Sequence, residues 1–250
     1  MVKPGAVQPV HAPHPILDAY YSDVPSKRTF LRAIFDRAAI DYNRIDRLLA
    51  FGTGSWYRRQ ALLRAGLTAG MRALDVGVGT GLVAREIKRV LGGNGDVIGI
   101  DPSAGMMTSG GIEGVCLVQG RAEVLPFADA SFDFLTLGFA LRHLDDLEHV
   151  FAEFRRVLRP EGKILVLEIT RPSGRLARGL TRIYMREIVP FLSGAIARDR
   201  ETPRLYRYYW DTIESCAPPE RVIATLRAAG FRNVDRHVEI GLFSEYRAIA

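Results

Sequence analysis

The stretch "LDVGVGTG", Leu74–Gly81, joins two different periodicities. Before it, "RALDV" is short and apolar in the manner of a buried strand; after it, "LVAREIKRVL" repeats its apolar residues every three or four positions, as a helix does. Gly77, Gly79 and Gly81 therefore sit where a strand turns into a helix. Glycine lets backbone take left-handed conformations there and approach a ligand with no Cβ in the way. This is how a nucleotide-like cofactor site is built at the carboxyl edge of a sheet. The spacing narrows the choice: a dinucleotide loop reads G-x-G-x-x-G and a phosphate loop ends in lysine, whereas this one reads G-x-G-x-G with Asp75 inside the strand.

Working outward, "DVIGID", "GVCLVQ", "FDFLTLGFA" and "KILVLEI" also read as strands, with "DLEHVFAEFRRVL" among the helices between them. Strands alternating with helices imply a doubly wound, mostly parallel sheet. Asp145 is the expected cap of the helix over 146–158, with Glu148 three residues on. "RNVDRHVEI" and "SEYRAIA" close the chain as a hairpin at the sheet edge, giving a seven-stranded α/β sheet. Residues 16–250 read as one domain carrying two additions: an N-terminal helical cap over 16–64 and a helical lid insertion over 175–215 before the last two strands. An insertion of that length is usually functional. Residues 1–15 lack the apolar core of a secretory signal and read as a flexible lead.

Of 250 residues, 48% are hydrophobic and 25% charged, as in an ordinary soluble protein, and no apolar run reaches the ~20 residues of a membrane span. Cys116 and Cys216 are too few for a disulfide framework or a zinc site, so a reducing cytoplasm is expected and no metal. The net charge of +6 is concentrated in nine arginines between Arg171 and Arg207. Such a cluster reads as a solvated helix face, an anionic membrane surface or an anionic substrate site.

Asp101 ends the second strand in "GIDPS", where an acid accepts hydrogen bonds from ribose hydroxyls. The loop, this acid, "AEVLPF" and "SFD" follow one another as in class I S-adenosylmethionine-dependent methyltransferases, whose sheet is Rossmann-like. From Phe30 to Ala250 the chain further resembles the ubiquinone/menaquinone biosynthesis C-methyltransferase (UbiE) family, through "FDRAAIDYN", "AEVLPFADASFD", "GFALRHLDD", "RVLRPEGKILVLEI", the insertion from Ile183 to Ile213, and "AAGF". The resemblance implies S-adenosyl-L-methionine as cofactor and S-adenosyl-L-homocysteine as product. It implies cofactor contacts at Thr80, Asp101, Arg121, Ala122 and Gly138, and Arg142 near a quinol ring. The chain departs from the family pattern in several places: His143 stands for asparagine, Gly138 for serine, Arg121 for aspartate or asparagine, Asn43 for an acid, and "YYWDTI" for "YLPESI".

Methylating a ring carbon needs alignment and a polarised ring hydroxyl, since a phenol near pKa 10 stays protonated at neutral pH. Arg142 can stabilise a phenolate but cannot take its proton, whereas His143 can. The expectation is that Arg142 faces the ring, with His143 behind it or acting as proton acceptor. The alternatives are an Arg142 bound to carboxylates, Glu168 among them, and a His143 that merely packs in a turn. Tyr206, Tyr208, Tyr209 and Trp210 would form an aromatic wall for a flat acceptor, or else simply core. An O- or N-methyltransferase of a small aromatic metabolite is the alternative enzyme. Nucleic acid is not expected as a partner, because no base-methylating N/D-P-P-Y motif or RNA-binding module is present. Peripheral membrane contact through the arginine-rich insertion and a homodimer complete the expectations.

Overall fold

The strands form where apolar runs can be buried on both faces. β1 (Arg72–Val76), β4 (Phe132–Gly138) and the inner part of β5 (Leu158–Ile169) are almost wholly buried, as the centre of a parallel sheet requires. With β2 (Asp96–Asp101), β3 (Cys116–Gln119), β6 (Arg232–Glu239) and β7 (Phe243–Ile249) they make a seven-stranded sheet of order β3-β2-β1-β4-β5-β7-β6. Pairing is parallel from β3 through β5. β7 runs antiparallel to both β5 and β6, so the closing hairpin makes the sheet mixed and leaves β6 at its edge. The computed structural model describes residues 11–49, 52–199 and 201–250.

Strand order reverses between β1 and β4, and in an open α/β sheet ligands bind outside the carboxyl ends at such a point. Helices cover both faces. α3 (Leu82–Leu91) follows the glycine loop, and α4 (Ala104–Gly110) is capped by the Ser103 hydroxyl, which accepts from Met106 N–H. α5 (Leu147–Val157) puts Leu147, Val150, Phe151, Phe154 and Val157 into the core together with α9 (Pro219–Ala228). Its cap is Asp146, which accepts from His149 N–H at 3.0 Å. The expected cap, Asp145, is drawn instead to Arg28 and Arg121, which donate to its Oδ2 at 2.7 and 2.9 Å.

The N-terminal helices are α1 (Val24–Leu49) and α2 (Gly54–Arg64). The insertion contains α6 (Arg175–Ile183), a π-helical turn over 184–188, α7 (Val189–Ile196) and α8 (Thr202–Ser215). These two additions pack on each other: Ile34, Ala38 and Ile45 of α1 share one apolar cluster with Val189 of α7 and Leu205, Tyr206, Tyr208 and Tyr209 of α8. Of the lead expected to be flexible, residues 1–10 lie outside the described residues. Residues 11–15 are docked, with the His11 and Pro13 carbonyls accepting from Leu147 N–H at 3.0 Å and Ala217 N–H at 2.6 Å.

Asp75 lies within β1 and its Oδ1 accepts from the Thr136 hydroxyl of β4 at 2.6 Å. Burial pushes its carboxyl up to about 7, against the smaller opposing effect of the Thr136 bond. The unfolded chain gives up this proton near pH 4 while the fold retains it to about 7, so stability falls as pH rises through that interval. Asp75→Asn keeps an acceptor for Thr136 without the charge. Its melting temperature relative to wild type should rise by roughly 5 °C between pH 5 and pH 8; a pH-independent difference would rule this origin out.

Candidate active site

Above the carboxyl ends of β1, β2 and β4 lies a cavity of about 1230 Å³, its open mouth included. Its floor is the glycine loop. Gly77 and Val78 N–H both donate to the Ile100 carbonyl, curling the loop back over β2. Gly77 adopts φ +67°, and an added Cβ would stand 3.0 Å from the Ala140 methyl, so both backbone and space call for glycine. Gly79 and Thr80 also line the cavity, while Gly81 serves α3, holding its N-terminus with φ +77° outside the lining. Asp75 lies beneath the loop, outside the lining as well.

Asp101 is the carboxylate of this floor. Its two oxygens accept from Gly79 N–H at 2.9 Å and Ser103 N–H at 2.8 Å, leaving one lone pair on each for further donors. Burial pushes its pKa up to about 6, with the two N–H bonds opposing and Asp36 adding a little. Asp36 comes from α1 and accepts from the Ser103 hydroxyl at 2.5 Å and Gly105 N–H at 3.0 Å, which docks that helix on α4. The Thr80 hydroxyl donates to Asn43 Oδ1 at 2.5 Å, a second tie between loop and α1. Ala122 and Arg121 line the wall beyond Asp101, the arginine held by Asp145 and Glu123. Gly138 lines it too, and an added Cβ would sit 2.7 Å from Val83 Cγ2. Val83 therefore fills the space that a serine at 138 would need.

The largest departure from expectation concerns two neighbours. Arg142 is 2% exposed and does not line the cavity. Its guanidinium bonds Glu168 and donates to the Phe139 carbonyl at 3.0 Å, and its backbone N–H donates to Glu168 Oε2 at 3.2 Å. His143 holds the wall position instead. The cause is the 3-10 turn over Leu141–His143, which directs consecutive side chains to different sides. The His143 ring stacks on Tyr208 with Nδ1 3.4 Å from its hydroxyl, while Nε2 is buried without a hydrogen-bond partner. Burial above all, then the charges of Arg142 and Lys27, hold its pKa well below 6.5, so the imidazole is neutral at physiological pH.

Of the expected aromatic wall, only Tyr209 reaches the cavity. Tyr206 stacks edge-on against Tyr209 from behind, and Trp210 is fully buried elsewhere, one residue further around the helix. Tyr209 donates to the Tyr42 hydroxyl at 3.4 Å. The wall beside Tyr209 was not foreseen: Arg28, Leu31, Phe35 and Tyr42 of α1 all line the cavity. Their spacing of three, four and seven residues marks one helix face, a signal present in the sequence. Arg58 of α2 lines it as well.

This site fits S-adenosylmethionine. A carboxylate with two open lone pairs suits a ribose, glycine backbone and Ala122 leave room for a flat base, and aromatic faces at Phe35, Tyr42 and Tyr209 suit a sulfonium cation. The model of the "ubiE/COQ5 methyltransferase family" matches residues 23–247. The ubiquinone/menaquinone biosynthesis C-methyltransferase UbiE of Stutzerimonas stutzeri is 32% identical over 237 residues, covering 91% of each chain. That of Hahella chejuensis is 30% identical over 220 residues, 84% of this chain and 87% of its own. Among solved structures, a SAM-dependent methyltransferase from Aquifex aeolicus aligns with TM-score 0.59 at 20% identity, covering 83% of this chain and 97% of the other. The phosphoethanolamine N-methyltransferase 2 of Haemonchus contortus in complex with S-adenosyl-L-methionine aligns with TM-score 0.60 at 18% identity, covering 90% of this chain and 60% of the other. At those identities the two structures speak for the fold alone.

If Asp101 receives ribose hydroxyls, the ligand needs its charged form. Affinity for S-adenosylhomocysteine, followed by calorimetry, should then fall as pH drops through about 6, by about tenfold at pH 5. Asp101→Asn should bind more weakly with a flat profile; a flat wild-type profile would remove Asp101 from the ribose.

Proposed function

Because the chain belongs to the ubiE/COQ5 methyltransferase family, we propose that it methylates a ring carbon of a quinol or related phenol in ubiquinone/menaquinone-type biosynthesis, the task its curated relatives are named for. The chain is an S-adenosylmethionine-dependent methyltransferase, and the cofactor supplies a methyl group on a sulfonium that leaves as S-adenosylhomocysteine. What the protein must add is alignment of the ring and polarisation of its hydroxyl.

The observation that carries the reading is the buried, unpartnered Nε2 of His143 in the cavity wall. An unsatisfied buried polar atom costs about 1–3 kcal/mol. A phenolic hydroxyl donating to that nitrogen removes the cost and gains electron density at the ring. Full proton transfer beforehand is unfavourable, since a phenol near pKa 10 exceeds this depressed imidazole by more than ~3 units. His143 thus holds the hydroxyl by a hydrogen bond while Phe35 and Tyr209, whose rings lie near its own, confine the acceptor to a flat slot. Arg142 acts one layer back. Its guanidinium lies 4.8 Å from the Tyr209 ring centroid and supports that wall from behind.

The insertion supports a peripheral membrane location. α6 exposes Leu176 (77%), Leu180 (60%) and Ile183 (54%) at helical spacing, among Arg175, Arg178 and Arg182. An apolar stripe flanked by arginines suits the interface of an anionic bilayer, where a prenylated quinol would be held. Among the described residues, no helix is long and apolar enough to cross a membrane.

Three measurements test these readings. In a strain lacking quinone C-methylation, the chain should restore methylated quinones by mass spectrometry, and His143→Asn should retain most of that activity. His143→Leu should lower turnover tenfold or more with S-adenosylhomocysteine affinity unchanged. Persisting demethyl-quinones with a methylated small aromatic in their place would favour the O- or N-methyltransferase, for which the altered "YYWDTI" stretch, with Tyr209 in the cavity wall, speaks. In sedimentation with anionic vesicles, the double variant Leu176→Glu, Leu180→Glu should bind several-fold less than wild type; equal binding would remove α6 from the membrane.

A further inference from the structure

Arg58 is 6% exposed, lines the cavity and is only partly paired. One terminal nitrogen donates to Asp46 at 2.8 Å, while Nε is buried without a partner. A guanidinium has five donors, so a single carboxylate contact leaves several unsatisfied. Its neighbour in sequence, Arg59, points the other way and donates to Glu86 at 3.0 Å. Arg28 and Arg121, by contrast, are already committed to Asp145, and Arg32 is largely exposed near Asp36. Among the described residues, Arg58 is the buried cation in the cavity wall with donors to spare.

Sheet order says which part of a ligand it meets. Ala122 follows β3, Asp101 ends β2, Gly77 follows β1 and Phe139 follows β4, which is their left-to-right order across the crevice. A ribose on Asp101 with its base toward Ala122 must extend its 5′ substituent toward β1 and β4. The Arg58 guanidinium lies there, 5.6 Å from the centroid of the Phe139 ring. In S-adenosylmethionine and its product that substituent ends in an α-amino acid, whose carboxylate needs a cationic partner when taken out of water. We propose that Arg58 is the anchor of the cofactor's α-carboxylate, with Asp46 holding the guanidinium in place. The geometry makes this arginine the residue that distinguishes the full cofactor from adenosyl thioethers lacking the amino-acid tail.

The test compares two ligands sharing the adenosine but not the tail: S-adenosylhomocysteine and 5′-deoxy-5′-methylthioadenosine, both measured by calorimetry on the full chain. Arg58→Gln should weaken S-adenosylhomocysteine 10- to 100-fold and leave methylthioadenosine within about twofold. Parallel loss of both ligands would mean Arg58 only shapes the cavity, and no loss of either would mean the carboxylate lies elsewhere; each overturns the proposal. Should Arg58→Gln fail to fold by circular dichroism, Arg58→Lys decides by the same ratio. It keeps the charge beside Asp46 but not the fork that grips a carboxylate, and should lose at least threefold on the first ligand alone. An unchanged ratio in that variant overturns the proposal too.

Discussion

The buried ion pair between Arg142 and Glu168 is the constraint on which the site depends. Both side chains are almost wholly withdrawn from water, where either one alone would be costly by several kcal/mol. Glu168 also accepts from the backbone of Arg142 and Ile169, and Arg142 donates to the Phe139 carbonyl. The pair therefore ties the end of β4, the turn after it and the end of β5 into one unit. From that unit His143 faces the cavity, and Tyr209 of α8 rests against the guanidinium. A charge that looks catalytic in isolation is thus the strut between the sheet and its helical cover.

The cavity has two halves built on different principles. Its floor comes from strand ends and the glycine loop, held by backbone hydrogen bonds to Ile100 and by Asp101. Its cover comes from α1 and α8, whose aromatic side chains share one apolar cluster. Short polar ties, Asp36 to Ser103 and Asn43 to Thr80, join floor and cover beside the packing of His143 on Phe35 and Tyr208. Such a division suits a methyltransferase, whose chemistry calls for one surface to hold a methyl donor and another to shape a slot for the acceptor.

Much of the floor was legible because its signals are local. A glycine loop between β1 and α3 and an acid at the end of β2 follow from residues adjacent in sequence. The cover was less legible. Tyr206, Tyr209 and Trp210 lie within five residues of one another, yet a turn of about 100° per residue sends Trp210 into the interior and leaves Tyr209 in the wall. Phe35 and Tyr42 carried a readable spacing, but nothing in α1 itself says which layer its face would meet. Asp145 and Asp146 were equally good caps by type. The pull of Arg28 and Arg121 on Asp145, from distant parts of the chain, left the cap to Asp146.

By itself the sequence determined the alternation of strands and helices, the glycine loop, the acid at the end of β2 and the family, because each rests on periodicity or on a motif of adjacent residues. Only the tertiary structure decided which of Arg142 and His143 lines the cavity, which aromatic joins it there, and that Arg58 stands in its wall. The reason is that a side chain's direction at a strand end is set by its partner. Glu168, twenty-six residues further on, draws Arg142 inward and leaves the wall to the histidine.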